Sequence, residues 1–308
     1  MILKAPKYLT KNFVNEFLFK FQNTFFWQKK LVPNVKIDLS TIIKVDIFGL
    51  LILYKYIDYT YNNFCFKKPN LTLGDYIDET WEKYSFRELI DSYVSNENLS
   101  DRPLKRLKVQ FDDRFIIAPQ ALLRNSNYTN DYLKKEFIPK IEEYYINDNK
   151  TTDLIFSCFS EILLNFWEHA VNDTKSIIVA DGNKHKIEIA CADTGIGLFT
   201  NLRNVLEKKI KNEEILAYSV KRGITSKPNT NHMGFGLWLV NELVKINNGN
   251  LHIYSQGYYF HNNYGKQKYG KCSYWPGTLI YVDLSLEKSK TLSDLNLKFN
   301  DNLKIKFV

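Results

Sequence analysis

The sequence predicts an α/β chain in two units, a small N-terminal one and a larger C-terminal one. Three observations lead there. Its 308 residues exceed the ~100–200 of one ordinary domain. Stretches alternating at period two interleave with apolar stripes at helical spacing. The order of elements also changes along the chain: strand, helix, strand, helix over 34–95, but helix, paired strands, helices and closing strands after 150.

Residues 1–30 mix apolar and basic side chains without a clear period. Val35–Leu39 alternates as a strand, Phe48–Tyr61 is a long apolar helix beginning after Asp46, Leu71–Leu73 is a short strand, and Phe86–Val94 is a second helix. The units divide as 1–95, a linker and connecting helix over 96–149, a second domain over 150–286, and a tail over 287–308. The linker holds a polar break (Ser95–Asn98), a basic cluster (Arg102, Lys105, Arg106, Lys108), a short strand at Phe115–Ile117, and a polar helix from Asn130 to about Ile146.

In the second domain Thr151 or Thr152 is the expected N-cap of a helix to about Val171, with Ile155, Cys158, Phe159, Ile162 and Phe166 as its buried stripe. Glu161, Asn165 and Glu168 lie on the adjacent face. Strands Ser176–Ala180 and Lys186–Cys191 follow, joined by a turn containing Asp181-Gly182. Next come Asp193-Thr194-Gly195-Ile196-Gly197, helical stretches over Leu198–Ile210 and Glu213–Val220, and a loop from Lys221 to Met233. Gly234-Phe235-Gly236-Leu237 opens a helix to Ile246, and strands Leu251–Ser255 and Thr278–Leu284 close the domain. The insert 257–276, rich in Tyr and Lys, reads as a β-hairpin between those strands. The same composition would suit single-stranded nucleic acid, a reading that ranks last.

Composition narrows the function classes. Forty-two Lys+Arg against thirty-four Asp+Glu give a net charge of +8, which permits an anionic partner without choosing one. The four cysteines form no C-x-x-C pair, which argues against a thiolate zinc site or a disulfide framework and for a reducing, cytoplasmic setting. The longest apolar run, Ile47–Tyr54, is far short of the ~18 residues a membrane span needs, and the N-terminus does not read as a secretion signal. No G-x-x-x-x-G-K-[ST] stretch is present, so a P-loop NTPase is not supported.

The C-terminal motifs carry a more specific chemistry. Gly234 and Gly236 at a helix start let backbone amides approach phosphates at the positive end of the dipole. Asp193 at a strand end could accept a hydrogen bond from an amine, while Gly195 and Gly197 leave room for a flat ring. Asn165 offers the neutral oxygen ligand that Mg²⁺ takes beside phosphates and water. Glu161, one turn earlier, could orient or deprotonate a water or hydroxyl attacking a γ-phosphate.

Taken in order, Glu161-x-x-x-Asn165-x-x-x-His169-Ala170, Asp193–Gly197, a basic loop, Gly234–Leu237 and Gly277-Thr278 resemble the GHKL ATPase superfamily, over about residues 150–286. The resemblance implies a Bergerat-type α/β sandwich, a mixed and mostly antiparallel sheet with helices on one face, that binds ATP and Mg²⁺. It further implies that Asn165 holds Mg²⁺, that Asp193 binds the adenine amino group with Thr278 beside it, and that Gly195 and Gly197 floor the adenine pocket. His169 belongs to the same motif, and Gly234, Phe235, Gly236 and Leu237 face the phosphates. Residues 221–233 become an ATP lid in which Arg222, Thr225, Ser226, Lys227 and also His232 are the phosphate contacts.

Within that superfamily no histidine precedes the domain, which sets a histidine autokinase aside. About twenty residues follow the last strand, too few for a transducer domain, and Glu161 stands where the hydrolysing branches and the anti-sigma kinases carry an acidic base. Val35–Ser40 followed by Val45–Leu50 resembles the STAS domain of anti-sigma factor antagonists, with Ile47 and Phe48 where that family carries serines. The expectation is an ATP·Mg²⁺-dependent hydrolase with Glu161 as base that controls a regulatory protein partner through a STAS-like docking domain. A Ser/Thr protein kinase of anti-sigma type and a non-catalytic ATP sensor are the alternatives, and a homodimer stays open.

Overall fold

In the computed structural model of the protein, residues 2–26, 35–64, 70–77, 114–122, 135, 138–145, 148–169, 176–225 and 234–295 are described, with 114–122 and 167–169 described through their backbone. The expected helix at 86–94 and the basic cluster at 102–108 lie outside them.

The N-terminal unit runs β1 (Ile2–Lys4), β2 (Tyr8–Leu9), α1 (Val14–Phe21), a 3₁₀ turn over Gln22–Phe26, β3 (Lys36–Asp38), β4 (Lys44–Val45), α2 (Ile47–Phe64) and β5 (Asn70–Thr72). Strands β1, β3 and β5 form a parallel sheet in that order, and β2 pairs with β4. Asp46 starts α2 by accepting the Gly49 N–H at 2.9 Å. From Ile47 to Ile57 every side chain of α2 is buried, so over that run the helix has no solvent face, and its last turn reaches solvent at Asn62 and Asn63. Its one cation in that run, Lys55, is spent on Asp58 at 3.0 Å. Gly49 is required by close approach: a Cβ there would stand 1.9 Å from the Leu9 carbonyl oxygen.

The C-terminal unit runs β6 (Arg114–Leu122), α3 (Ile138–Tyr144), α4 (Asn149–His169), β7 (Ser176–Asn183), β8 (Lys186–Ala192), α5 (Leu198–Arg203), a 3₁₀ turn over Asn212–Glu214, α6 (Ile215–Ser219), α7 (Gly236–Ile246), β9 (Asn250–Ser255), β10 (Tyr258–Asn263), β11 (Lys266–Lys271) and β12 (Thr278–Ser285). Its seven strands follow the order β11-β10-β9-β12-β8-β7-β6. Every described pair is antiparallel, so the sheet is not mixed. The 257–276 insert forms the β10–β11 hairpin.

Four boundaries differ from the sequence reading. Strand β6 lies in the stretch expected as linker, and α3 beside it contributes Ile141 to the C-terminal core. Asp148, not Thr151 or Thr152, caps α4, accepting the Thr151 N–H at 3.0 Å and the Thr151 hydroxyl at 2.6 Å. Asp181 and Gly182 continue β7 to Asn183, and the turn is Lys184-His185, held by the Asn183 Oδ1, which accepts the N–H groups of His185 and Lys186. The expected tail folds back: Asn247 bonds both the N–H and the carbonyl of Lys290, and Leu295 joins the core.

The sheet is covered on both faces. Helices α4 and α7 pack with Ile178, Ala180, Ile189, Cys191 and Ile280 on one side. The N-terminal unit covers the other, where Phe48 and Leu51 share a core with Ile177, Val179, Ala190, Ala192, Leu279 and Tyr281. This explains the unbroken apolar run Ile177–Ala180, since a strand buried on both faces has no reason to alternate. Ile47 and Phe48, where a STAS domain carries serines, are 1% and 0% exposed, and Phe48 lies 5.2 Å from the Tyr281 ring. Among the described residues no helix is long and apolar enough to cross a membrane.

Candidate functional site

The buried stripe of α4 turns Ile155, Cys158, Phe159, Ile162 and Phe166 into the core, which leaves Glu161 and Asn165 half-buried along its edge. The two are tied within the helix, as the Asn165 Nδ2 donates to the Glu161 carbonyl at 2.7 Å. Helix α7 crosses this edge with its first residue, Gly236. A Cβ at Gly236 would stand 2.6 Å from the Glu161 Oε2 and 3.2 Å from the Asn165 Nδ2. The glycine therefore lets the start of one helix rest on the acid–amide pair of another.

Strand β8 delivers Asp193, which is 3% exposed. Its N–H donates to the Thr278 carbonyl at 3.0 Å, its Oδ1 accepts the Gly195 N–H at 2.7 Å, and its carbonyl accepts the Trp275 indole N–H at 2.7 Å. Gly277 is pressed so closely on this residue that a Cβ would stand 2.3 Å from both its carbonyl oxygen and its Oδ1. The chain then turns at Gly197, whose φ of +84° favours glycine, and enters α5. The Thr278 hydroxyl accepts the Leu198 N–H at 2.9 Å. Ser255 and Gln256, at the end of β9, hold the same turn: the Ser255 hydroxyl accepts the Phe199 N–H at 3.2 Å, and the Gln256 amide donates to the Ile196 carbonyl at 2.6 Å.

These elements border one narrow cleft, lined by Asn165, Phe166, Asp193, Leu198, Leu237, Thr278 and Ile280. Of the residues singled out from sequence, Asn165, Asp193, Leu237 and Thr278 line it, with Glu161 and Gly236 against Asn165. Gly195 and Gly197 shape the turn at its rim. The apolar walls and the three acceptor-bearing side chains, Asn165, Asp193 and Thr278, suit a flat, amine-bearing ring.

The loop expected as a lid is closed at its base. Gly223 N–H donates to the Gly234 carbonyl at 3.0 Å, and Gly234, at φ +70°, lies against the backbone of residues 223–224. Arg222 is not brought to the cleft. Its guanidinium sits over the Phe235 and Trp238 rings, 5.3 and 5.5 Å away, and lines a separate groove with Tyr218, Glu242 and Tyr269. Thr225 is half-buried. Ser226, Lys227, His232 and the side chain of His169 lie outside the described residues.

Sequence reasoning missed Ser255, Gln256 and Trp275. The signal for Trp275 was present, since a large residue two places before Gly277-Thr278 follows that motif into the core, but a Tyr- and Lys-rich insert masks it. Ser255 and Gln256 carry no signal, because only the pairing of β9 with β12 brings them beside Gly277. Among the described residues no group of three or more His, Cys, Asp or Glu could hold a metal ion. No protein-family model matches this chain, and no curated protein matches it in sequence.

Proposed function

We propose that the C-terminal unit binds ATP with Mg²⁺ and hydrolyses it, as a GHKL-type ATPase acting on a regulatory protein partner. One observation carries this reading: stretches around Asn165, Asp193, Leu237 and Thr278, far apart in sequence, border a single cleft. The free room between these side chains is only about 10 Å³, so the base would enter as the lining residues move apart. Phe166, Leu198, Leu237 and Ile280 would pack on the adenine faces while Asp193 accepts from its amino group. The phosphates would run toward Gly236, where the missing side chain leaves backbone close to Glu161 and Asn165.

The donor set fits Mg²⁺ as a nucleotide-borne ion. Because the Asn165 Nδ2 is spent on the Glu161 carbonyl, its Oδ1 is the amide's remaining ligand atom, and no multi-carboxylate cage is needed when phosphate and water oxygens complete the shell. Bound there, Mg²⁺ would neutralise charge developing on the β- and γ-phosphates. Glu161 takes a proton from the attacking water as its oxygen bonds to the γ-phosphorus and the β–γ bridge breaks, leaving ADP.

Calorimetric titration with ATP, ADP and GTP, with and without Mg²⁺, followed by a phosphate-release assay, tests the proposal. Adenine nucleotide at a hundred times its Kd should stabilise the fold by about 2.7 kcal/mol. A folded sample with no affinity for adenine nucleotides overturns it. Label on a partner protein instead of free phosphate would replace hydrolysis by a Ser/Thr kinase activity.

A further inference from the structure

The segment 272–277 joins the β10–β11 hairpin to β12, and the N-terminal unit holds it at several points. The Ser273 N–H donates to the Asn15 Oδ1 at 2.8 Å, and the Tyr274 N–H donates to the Gln22 Oε1 at 3.1 Å. Phe26 packs on the Tyr274 ring at 4.7 Å, and Phe25 meets the Trp275 ring edge-on at 5.5 Å. Trp275 is 0% exposed and carries a single donor, which it gives to the Asp193 carbonyl. Two residues on, Gly277 abuts the same aspartate and Thr278 enters the cleft.

A chain of direct contacts therefore runs from α1 and its 3₁₀ turn, through 273–275, to the residue proposed to recognise adenine. A buried indole N–H needs its partner, and with one donor it cannot turn without losing it. Moving the 273–275 backbone would move the Asp193 peptide plane, and with it the carboxylate.

We propose that Trp275 is a positioning residue for Asp193, and that the N-terminal unit sets the nucleotide affinity of the cleft by holding Trp275 in place. This inference rests on the adenine reading of the cleft. It makes the N-terminal unit a component of the nucleotide site, so a ligand or partner that displaces α1 weakens nucleotide binding, and nucleotide weakens that displacement by the same factor.

The test is titration of the full chain and two variants with ATP, ADP and GTP below their melting temperatures, folding being checked by circular dichroism. Trp275→Phe keeps an aromatic ring, smaller than the indole, and removes the donor. Asn15→Ala with Gln22→Ala removes both acceptors while leaving the C-terminal unit untouched, and covers the case in which Trp275→Phe fails to fold. Both should weaken ATP and ADP equally, by about tenfold for Trp275→Phe, and both should narrow the preference for ATP over GTP. A merely structural role would lower the melting temperature and leave that preference alone. Wild-type affinity and preference in the folded variants overturn the inference while the adenine reading stands. A wild-type chain that binds no adenine nucleotide overturns both.

Discussion

Replacing Gly236 by Ala separates what the fold needs from what the proposed chemistry needs. The added Cβ would stand 2.6 Å from the Glu161 Oε2, against 3.4 Å or more for ordinary contact, so the carboxylate must retreat by about 0.8 Å. That atom ends a flexible side chain on a half-buried helix edge, so the retreat costs the fold little. Gly236 is the first residue of α7, where the gain from alanine is smaller than the ~1 kcal/mol of a helix interior. The melting temperature should therefore stay within about 4 °C of wild type. A group that must order an attacking water tolerates no such shift, since a misplacement of about 1 Å can cost 10²-fold. Phosphate release should fall by about 10- to 100-fold while ATP affinity changes less. Thermal unfolding and phosphate release on the same preparation supply both numbers. A stable Gly236→Ala protein turning over ATP at the wild-type rate would refute the assignment of Glu161 as base.

Gly277→Ala should behave in the opposite way, losing about 1–3 kcal/mol in chemical denaturation, because its Cβ would meet the Asp193 backbone at 2.3 Å and backbone cannot swing aside. Phe48→Ala should cost about 3–5 kcal/mol, since this 0% exposed ring fills the core shared by the two units, and a loss below 1 kcal/mol would speak against a common core. Asp148→Ala should cost about 0.5–2 kcal/mol by uncapping α4, again read in urea. Burial at the start of α2 pushes the Asp46 carboxyl up to about 6, Glu188 adding to the effect and the Gly49 and Lys11 N–H groups opposing it. Because the folded value is raised, this group's contribution is fully present below about pH 4 and lost as pH rises through about 6, an order of 3 kcal/mol. Asp46→Asn should flatten unfolding stability across that window, and an unchanged pH slope would count against the assignment.

The residues that border the cleft were more legible than the architecture around it. Glycines, an acid and an amide at helical spacing, and an aspartate at a strand end are local features of close backbone approach, so they stand in the sequence as short motifs. Gly236 and Gly277 show how direct that record is, for each lies where a Cβ would strike a cleft residue. The fate of Arg222 was not written locally, since basic residues beside glycines suit phosphate equally well. Only the approach of Phe235 and Trp238 gives its guanidinium a pair of aromatic faces to cover instead.

What the sequence alone determined is the order of helices and strands after residue 150, the α4 edge that carries Glu161 and Asn165, and the unbroken apolar character of Ile177–Ala180 and Ile47–Tyr54. Period and glycine placement act within a few residues, so they can be read locally. Tertiary structure decided what those apolar runs are for. Burying Ile47–Ile57 all round requires a second surface, and the outer face of the sheet supplies it. That docking carries Asn15, Gln22 and Phe25 to the segment that fixes Asp193. No periodicity could announce it, because the partners lie 252 and 258 residues apart for two of its hydrogen bonds and meet only when both faces of one sheet are closed.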